Sequence, residues 1–352
     1  MRTSSAIPRS GCPRSSVRGL SLAMLLVLAA APSRSRGLEI YWIDVEGGAA
    51  TLVVTPQGES ILVDSGWPEE RDAQRIRRAV LELAGLKQID HYITTHWHLD
   101  HWGAIGRVAE LLPVERFYGH EFPPGTPDDI VPERKEAWLR ASEGKKRLWV
   151  RAGERLSLRE SRDLEVRFLT SNGSVVDEPA GVPQIRECPR HPAAVLDEGE
   201  NARSVGFLLS YGGFRFLDLG DLTWNVEHRL VCPKNLIGKV DVYQVTHHGW
   251  DPSNNPALVS AIVPTVAVIN NGAKKGGTAA VFRTLKATRE IRDIWQVHRN
   301  VETTAAENAP AEFVANDDEA CKGEWIRLRV EPGGDAYTID IPSKGTTRTY
   351  RR

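Results

Sequence analysis

Thiols are few in this chain of 352 residues, and they do not group. The four cysteines are Cys12, Cys188, Cys232 and Cys321, none in C-x-x-C spacing. No thiolate metal site is therefore expected. No segment carries the roughly 20 consecutive apolar residues that cross a bilayer. No period recurs along the chain, which argues against a solenoid or a propeller. A G-x-S-x-G elbow is missing too, so nothing points to a serine nucleophile. Positive charge shows no surplus: 45 Lys+Arg stand against 46 Asp+Glu, a net charge of −1.

The N-terminal segment differs from the rest. Arg2, Arg9, Arg14 and Arg18 precede the apolar run "LSLAMLLVLAAA", Leu20 to Ala31, and no acid appears before Glu39. A positive flank, a short apolar run and a small-residue exit describe a secretory signal peptide, taken as residues 1–37. Its removal implies an exported protein, periplasmic or secreted, with no membrane segment left. Removing six arginines lowers Lys+Arg from 45 to 39 against 46 acids, and the net charge becomes −7. Proteins that grip nucleic acid through phosphates are usually basic or carry a basic stripe. Here only "KEAWLRASEGKKR" and the tail "TTRTYRR" (346–352) are basic, and they read as a solvated face and a frayed end. Nucleic acid is thus not the favoured partner; a small molecule or phosphoester is. Of the three cysteines past the leader, one disulfide is expected, with no basis for choosing the pair.

Strands and helices follow from periodicity. "LEIYWIDV", "ATLVVT", "SILVDSG", "HYITT" and "DLEVRFLTS" read as strands. Pro68 to Leu83 reads as a helix with Pro in its first turn and Gly85 past its end. Gly103 to Leu112 and Glu133 to Ala141 also look helical. Residues Asn172 to Arg203 form a long Pro- and Gly-bearing loop of the kind often used for binding. Beyond it, "VGFLLSY" and "FRFLDL" are joined by Gly212-Gly213, a hairpin signal. Strand and helix then alternate through "DIWQV", and "EWIRLRV" and "AYTIDI" close the chain. This describes one α/β domain, 38–345, with two sheets covered by helices.

The chemistry is concentrated in "ITTHWHLDHWG", Ile93 to Gly103. His96 and His98, two apart in an extended loop after a strand, point to the same side and can clamp one ion. Asp100 and His101 lie further round the turn, placed for a second ion. By the chain's own His and Asp frequencies, such a cluster arises by accident on the order of once in a couple of thousand sequences. Asp221 in "FLDLGDLT" and His247-His248 in "VYQVTHHGW" also directly follow strands. Sites form where the ends of parallel strands converge.

In this order, "THWHLDH", "LGD" and "THHG" resemble the metallo-β-lactamase superfamily of metallohydrolases. "ILVDSG" matches its early strand motif, in which the acid, here Asp64, supports the metal loop. Within the superfamily, "ENARSVGFLLSYGGFRFLDLGD" followed by "HHG" looks most like the hydrolase domain of the DNA-uptake competence channel. The resemblance implies a four-layer αβ/βα sandwich of two mixed β-sheets flanked by helices, with a dinuclear site at one edge. It implies His96 and His98 on the first metal, Asp100 and His101 on the second, and Asp221 bridging. One member of the doublet, taken as His247, completes the second site, leaving His248 beside it or facing substrate. Many members place a further histidine between the first cluster and the bridging acid. Here that region reads "ENARS", which leaves Asn201 or Ser204 near the first metal. His120 and His191 sit in no matching motif and read as surface-loop histidines. Lys275, in "NNGAKKGGT", and His298, after "DIWQV", are candidates to face substrate.

Two divalent ions, zinc by the imidazole-rich donor set with manganese or iron as alternatives, make hydroxide available near neutral pH. The expected activity is attack of a metal-bridging hydroxide on a phosphodiester or related ester, with Asp100 and His248 moving protons. A lactone- or β-lactam-type hydrolase and a non-catalytic metal binder are the alternatives.

Overall fold

The computed structural model describes residues 37–124, 130–159, 163–178, 188 and 196–352. The expected signal peptide and His191 lie outside the described residues. In chain order the elements are β1 (Leu38–Trp42), β2 (Thr51–Val54), β3 (Ser60–Val63), α1 (Glu70–Arg78), β4 (His91–Ile93), α2 (Leu99–Trp102), α3 (Ile105–Leu111), β5 (Arg116–Gly119), α4 (Pro132–Ala141) and β6 (Lys146–Trp149). There follow β7 (Leu164–Ser171), β8 (Ser174–Val175), β9 (Gly206–Tyr211), β10 (Phe214–Asp218), α5 (Trp224–Val231), β11 (Val242–Gln244), α6 (Pro256–Ile262), β12 (Val266–Ile269), α7 (Ala279–Ala287) and β13 (Asp293–His298). The chain closes with β14 (Val314–Asn316), β15 (Ile326–Val330), β16 (Ala336–Ile341) and β17 (Thr346–Arg351).

Two mixed sheets result. One has nine strands in the order β17-β16-β15-β1-β2-β3-β4-β5-β6, the other eight in the order β14-β13-β12-β11-β10-β9-β7-β8. From β3 to β6 and from β10 to β14 the neighbours run parallel. Alternation decides which side each residue takes. In the first sheet Ile40, Trp42, Val53, Ile61 and Val63 turn to the second sheet. Tyr41, Leu52, Leu62 and Tyr92 turn outward onto Ile76, Val80, Ile105, Val108 and Trp138 of the covering helices. This is the metallo-β-lactamase fold.

A buried polar chain ties the sheets together near their middle. Trp42 Nε1 and Thr51 Oγ1 donate to Gln244 Oε1 at 2.7 and 2.9 Å, and Gln244 Nε2 donates to Asp218 Oδ2 at 2.8 Å. Burial pushes the Asp218 carboxyl up to about 7. Local signals set the helix ends. Asn255 caps α6 by accepting from Ala257 N–H, with Pro256 opening the helix, and Thr278 caps α7 through Val281 N–H.

Two expectations are corrected. Residues 346–352 are not a frayed basic tail: β17 pairs with β16 over six residues and extends the first sheet. Tyr350 is buried and anchors this otherwise largely exposed edge strand. The basic segment near 146 is a solvated face as expected, carried by the largely exposed edge strand β6. The long helix foreseen from Pro68 to Leu83 is α1 followed by a π turn, Ala79–Leu83. Cys188 and Cys232 form the disulfide, their Cα atoms 5.7 Å apart. Among the described residues no helix is long and apolar enough to cross a membrane.

Candidate metal centre

The centre is built where β3, β4, β10, β11 and β12 end. After β4 the chain runs extended, so side chains alternate. Trp97 turns into the helix layer and stacks on Phe122 at 4.1 Å between centroids, while His96 and His98 turn the other way. Trp102 packs on Trp97 at 4.9 Å and pins the far end of the loop. Glu200 accepts from Trp97 N–H at 2.9 Å and pairs with His120 Nε2 at 2.8 Å, tying the loop to the "ENARS" turn. His120 is therefore buried, not a surface-loop histidine.

Asp221 Oδ2 is the hub. It lies 3.9 Å from His96 Nε2, 3.2 Å from His101 Nε2, 3.4 Å from His247 Nε2 and 3.5 Å from His248 Nε2. On one side, Asp100, His101, Asp221 and His248 all offer donor atoms within 4.8 Å of one another. His101 and His248 Nε2 are 3.1 Å apart, and Asp100 Oδ2 lies 3.4 Å from the first and 3.2 Å from the second. Ligands about 2.0 Å from a tetrahedral zinc stand about 3.3 Å apart, so these edges match one ion. On the other side, His96 Nε2 and His98 Nδ1 are 3.1 Å apart, and Asn201 Nδ2 is 3.5 Å from His247 Nε2.

The assignment within the doublet is corrected. His248, not His247, joins Asp100 and His101, and His247 lies toward Asn201. Both residues take positive φ, 55° and 52°, so the chain turns left-handed there and throws the two rings to opposite sides of Asp221. Gly276 permits this, because a Cβ there would stand 2.2 Å from His248 O. His248 faces three donor groups and is not the substrate-facing proton mover foreseen. His298 is also relocated: it pairs with Asp44 at 2.9 Å, outside this centre.

Outer contacts aim each ring. Asp64, at φ 61°, accepts from Thr95 N–H and Oγ1 at 2.8 and 2.7 Å, and pairs with His101 Nδ1 at 2.7 Å. His248 Nδ1 meets Asn270 O at 3.2 Å, and His247 Nδ1 meets Ser253 Oγ at 3.1 Å. His96 Nδ1 meets Thr95 Oγ1 at 3.1 Å. With Nδ1 held, each Nε2 lone pair is left facing inward, as a metal requires. Ser204 Oγ accepts from Asp221 N–H at 3.2 Å and positions the hub through its backbone. Asn201 Oδ1 is buried with no hydrogen-bond partner, an orphaned acceptor beside the first pair of histidines. Lys275 Nζ rests on Asp100 Oδ2 and lies 4.9 Å from the ring centre of Trp67. Asp100, His101, Asp221 and His248 fit one divalent cation, and His96 and His98 stand beside them, with His96 Nε2 3.9 Å from Asp221 Oδ2.

Electrostatics agree. Burial opposes charge on His101, but Asp221, Asp100 and Asp64 overcome it and hold that imidazole well above its ordinary value. Burial, reinforced by His101, pushes His96 well below. Against its burial, His101, His247 and His248 hold the Asp221 carboxyl well below the usual range. Sequence reasoning missed Thr95, Ser253, Glu200 and the Asn270 carbonyl. Only the hydroxyl at Thr95, next to His96, carries any sequence signal.

The fold is of the metallo-β-lactamase type, and this His/Asp cluster is a candidate metal centre within it. The model of the metallo-beta-lactamase superfamily matches residues 43–191, which supports membership of that superfamily. The match takes in His96 to His101 and ends before Asp221. No curated protein matches the chain. Among solved structures, the chain is similar to CmlA, a diiron β-hydroxylase from Streptomyces venezuelae, at 18% identity over 66% of this chain and 44% of that one, TM-score 0.39. The chain thus spans under half the length of CmlA. Igni18, a metallo hydrolase from Ignicoccus hospitalis, is similar at 12% identity over 73% of this chain and 94% of that one, TM-score 0.42. Zn(2+)-bound PqqB from Methylobacterium extorquens is similar at 13% identity over 65% and 87%, TM-score 0.40.

Proposed function

We propose that the protein is an exported dinuclear metal-dependent hydrolase that cleaves a small phosphodiester or related phosphoester. One observation carries the reading: a single carboxylate oxygen, Asp221 Oδ2, is shared by four imidazoles lying 3.2 to 3.9 Å away. Bound there, two divalent cations supply an ionised water at neutral pH and positive charge for a leaving oxygen. His96, His98 and His247, with Asn201, would hold one; Asp100, His101 and His248 the other. Zinc suits the imidazole-rich set, with manganese and iron as alternatives.

The remaining groups bind and orient. Lys275 adds a fixed cation beside Asp100, which favours an anionic substrate. Trp250, 41% exposed, lies at 23° to the His247 ring with centroids 5.9 Å apart and offers a flat wall to an apolar or cyclic substrate portion. Asp100 keeps 10% of its side chain exposed and is the candidate to move a proton, while Lys275 neutralises its outer oxygen. The acidic balance left after loss of the leader favours a small substrate over nucleic acid. The likeness of the "ENARS…LGD…HHG" segment to the competence-channel hydrolase domain supports the phosphoester. Export is supported by the N-terminal pattern and by the Cys188–Cys232 disulfide, at home in an oxidising compartment.

The test is purified protein with defined metal content, assayed on bis-p-nitrophenyl phosphate, a lactone and a β-lactam, beside Asp221→Asn. Metal-dependent phosphodiester cleavage, lost in the variant, is expected. Cleavage of the lactone or β-lactam alone would overturn the substrate class, and no cleavage by the metal-loaded protein would make it a binder.

A further inference from the structure

A second cluster of donor side chains lies outside the dinuclear centre. Asp44 and Glu46 follow β1, His298 ends β13, and Cys321 comes from the segment before β15. One donor atom from each lies within 4.8 Å of all the others. We infer that these four residues form a separate mononuclear site for a zinc-class divalent cation, with Cys321 as a thiolate ligand.

The distances carry this. His298 Nε2 is 2.9 Å from Asp44 Oδ1 and 3.5 Å from Glu46 Oε2. Cys321 Sγ is 3.7 Å from His298 Nε2, 3.1 Å from Asp44 Oδ2 and 3.3 Å from Glu46 Oε1. Tetrahedral zinc with N/O ligands at about 2.0 Å and sulfur at about 2.3 Å sets its ligand atoms about 3.3 to 3.6 Å apart. One donor atom of each group lies within 4.8 Å of the others, and because Cys321 and His298 meet opposite oxygens of both carboxylates, small carboxylate rotations complete the polyhedron.

Burial and orientation point the same way. Asp44 and His298 have no exposed surface. The polar side-chain contacts of His298 are all made by Nε2, toward the cluster, while its buried Nδ1 has no partner. Glu46 takes φ 55°, a left-handed turn that swings its carboxylate back beside Asp44. Arg75 serves the role of an outer-sphere group. Its NH1 holds Asp44 Oδ2 at 2.8 Å and Glu46 Oε1 at 3.1 Å, leaving Asp44 Oδ1 and Glu46 Oε2 toward His298. Guanidinium and a divalent cation together balance two carboxylates and a thiolate. Binding displaces the Cys321 proton, and any proton on His298 Nε2, to solvent as the S–metal and N–metal bonds form.

The site ties together three segments far apart in sequence and sits at the root of the catalytic edge. Three residues after Glu46, Ala49 N–H donates to Asp100 O at 3.0 Å. A Cβ at Gly48 would stand 2.5 Å from that same carbonyl, so the loop presses directly under Asp100. The cation's work is structural, since protein groups fill all four positions.

Cobalt(II) loading of the full chain is the test, because a thiolate gives a sulfur-to-cobalt charge-transfer band in the near ultraviolet and the dinuclear centre has only nitrogen and oxygen donors. Among the described residues Cys321 is the free cysteine. The band is expected in the wild type and lost in Cys321→Ser, with one metal equivalent per chain fewer by mass spectrometry while the other equivalents stay. Zinc should also slow alkylation of Cys321 in the wild type by at least tenfold, a readout that needs no variant to fold. Failure of the band to appear, a band indifferent to Cys321→Ser, or alkylation at one rate with and without zinc overturns the site. None of these readouts depends on hydrolytic activity, so the site can fail while the hydrolase stands, and the reverse.

Discussion

Asp64→Asn tests how the centre is held, at nearly constant shape. The carboxylate accepts three hydrogen bonds, from Thr95 N–H, Thr95 Oγ1 and His101 Nδ1. Asp64, Thr95 and His101 are each at most 1% exposed, so water cannot replace a lost partner. The amide can serve one side only. If its oxygen keeps Thr95 N–H, its NH2 faces the His101 Nδ1 proton, two donors together. The imidazole can escape by moving its proton to Nε2, which removes the lone pair aimed at the metal. A buried donor left unpaired costs about 1–3 kcal/mol, and the metal-free variant should be destabilised by that much in urea. Losing the carboxylate behind a ligating histidine typically weakens metal binding by about 10- to 100-fold, or about 1.4 to 2.7 kcal/mol. The loss should fall on the cation held by His101 and much less on the one held by His96 and His98. Competition titration against a chromophoric chelator reads both affinities. Unchanged affinity, or an equal loss at both positions, would refute the picture of Asp64 as the group that fixes His101.

Other outcomes follow from the same geometry. His248→Ala should strip the cation shared with Asp100 and His101, whereas His247→Ala should loosen the other; metal counts per chain separate them, and interchanged results would restore the assignment expected from sequence. Metal binding must discharge His101, which the surrounding carboxylates hold well above its ordinary value. Affinity should therefore rise with pH through neutrality, with a released proton visible in calorimetry as a dependence on buffer ionisation enthalpy. Glu227, fully buried, accepts from Asn254 and Asn255 N–H and is pushed by burial up to about 8 from 4.5. Between those values the folded chain binds the extra proton. Its contribution to stability is full below the lower value and is lost, by roughly a few kcal/mol, as pH rises through the window. Denaturation of metal-free protein at pH 5 and pH 8.5 should show this fall, and Glu227→Gln should flatten it; parallel profiles would exclude Glu227 as the source.

Much of this architecture was legible one-dimensionally. The strand alternation of "LEIYW" and the Gly212-Gly213 turn are local properties, and local steric and hydrogen-bond rules act on them whatever surrounds them. The same holds for "HWHLDH": an extended loop forces His96 and His98 to one side and Trp97 to the other. What could not be read is whatever depends on segments meeting. The order of the doublet was decided by two consecutive left-handed residues and by the room that Gly276 leaves for them. The tail became β17 because β16 offered a free edge. His298 was drawn to Asp44 and Cys321, not to Asp221, since the packing of one sheet on the other brings the end of β13 to the segment after β1. Sequence determined which residues can bind cations and which surfaces can be buried, because those are properties of single side chains and their neighbours. Which donors share an ion was decided only by tertiary structure, because coordination needs several atoms from distant segments within a few ångströms of one point, and only the packed sheets bring them there.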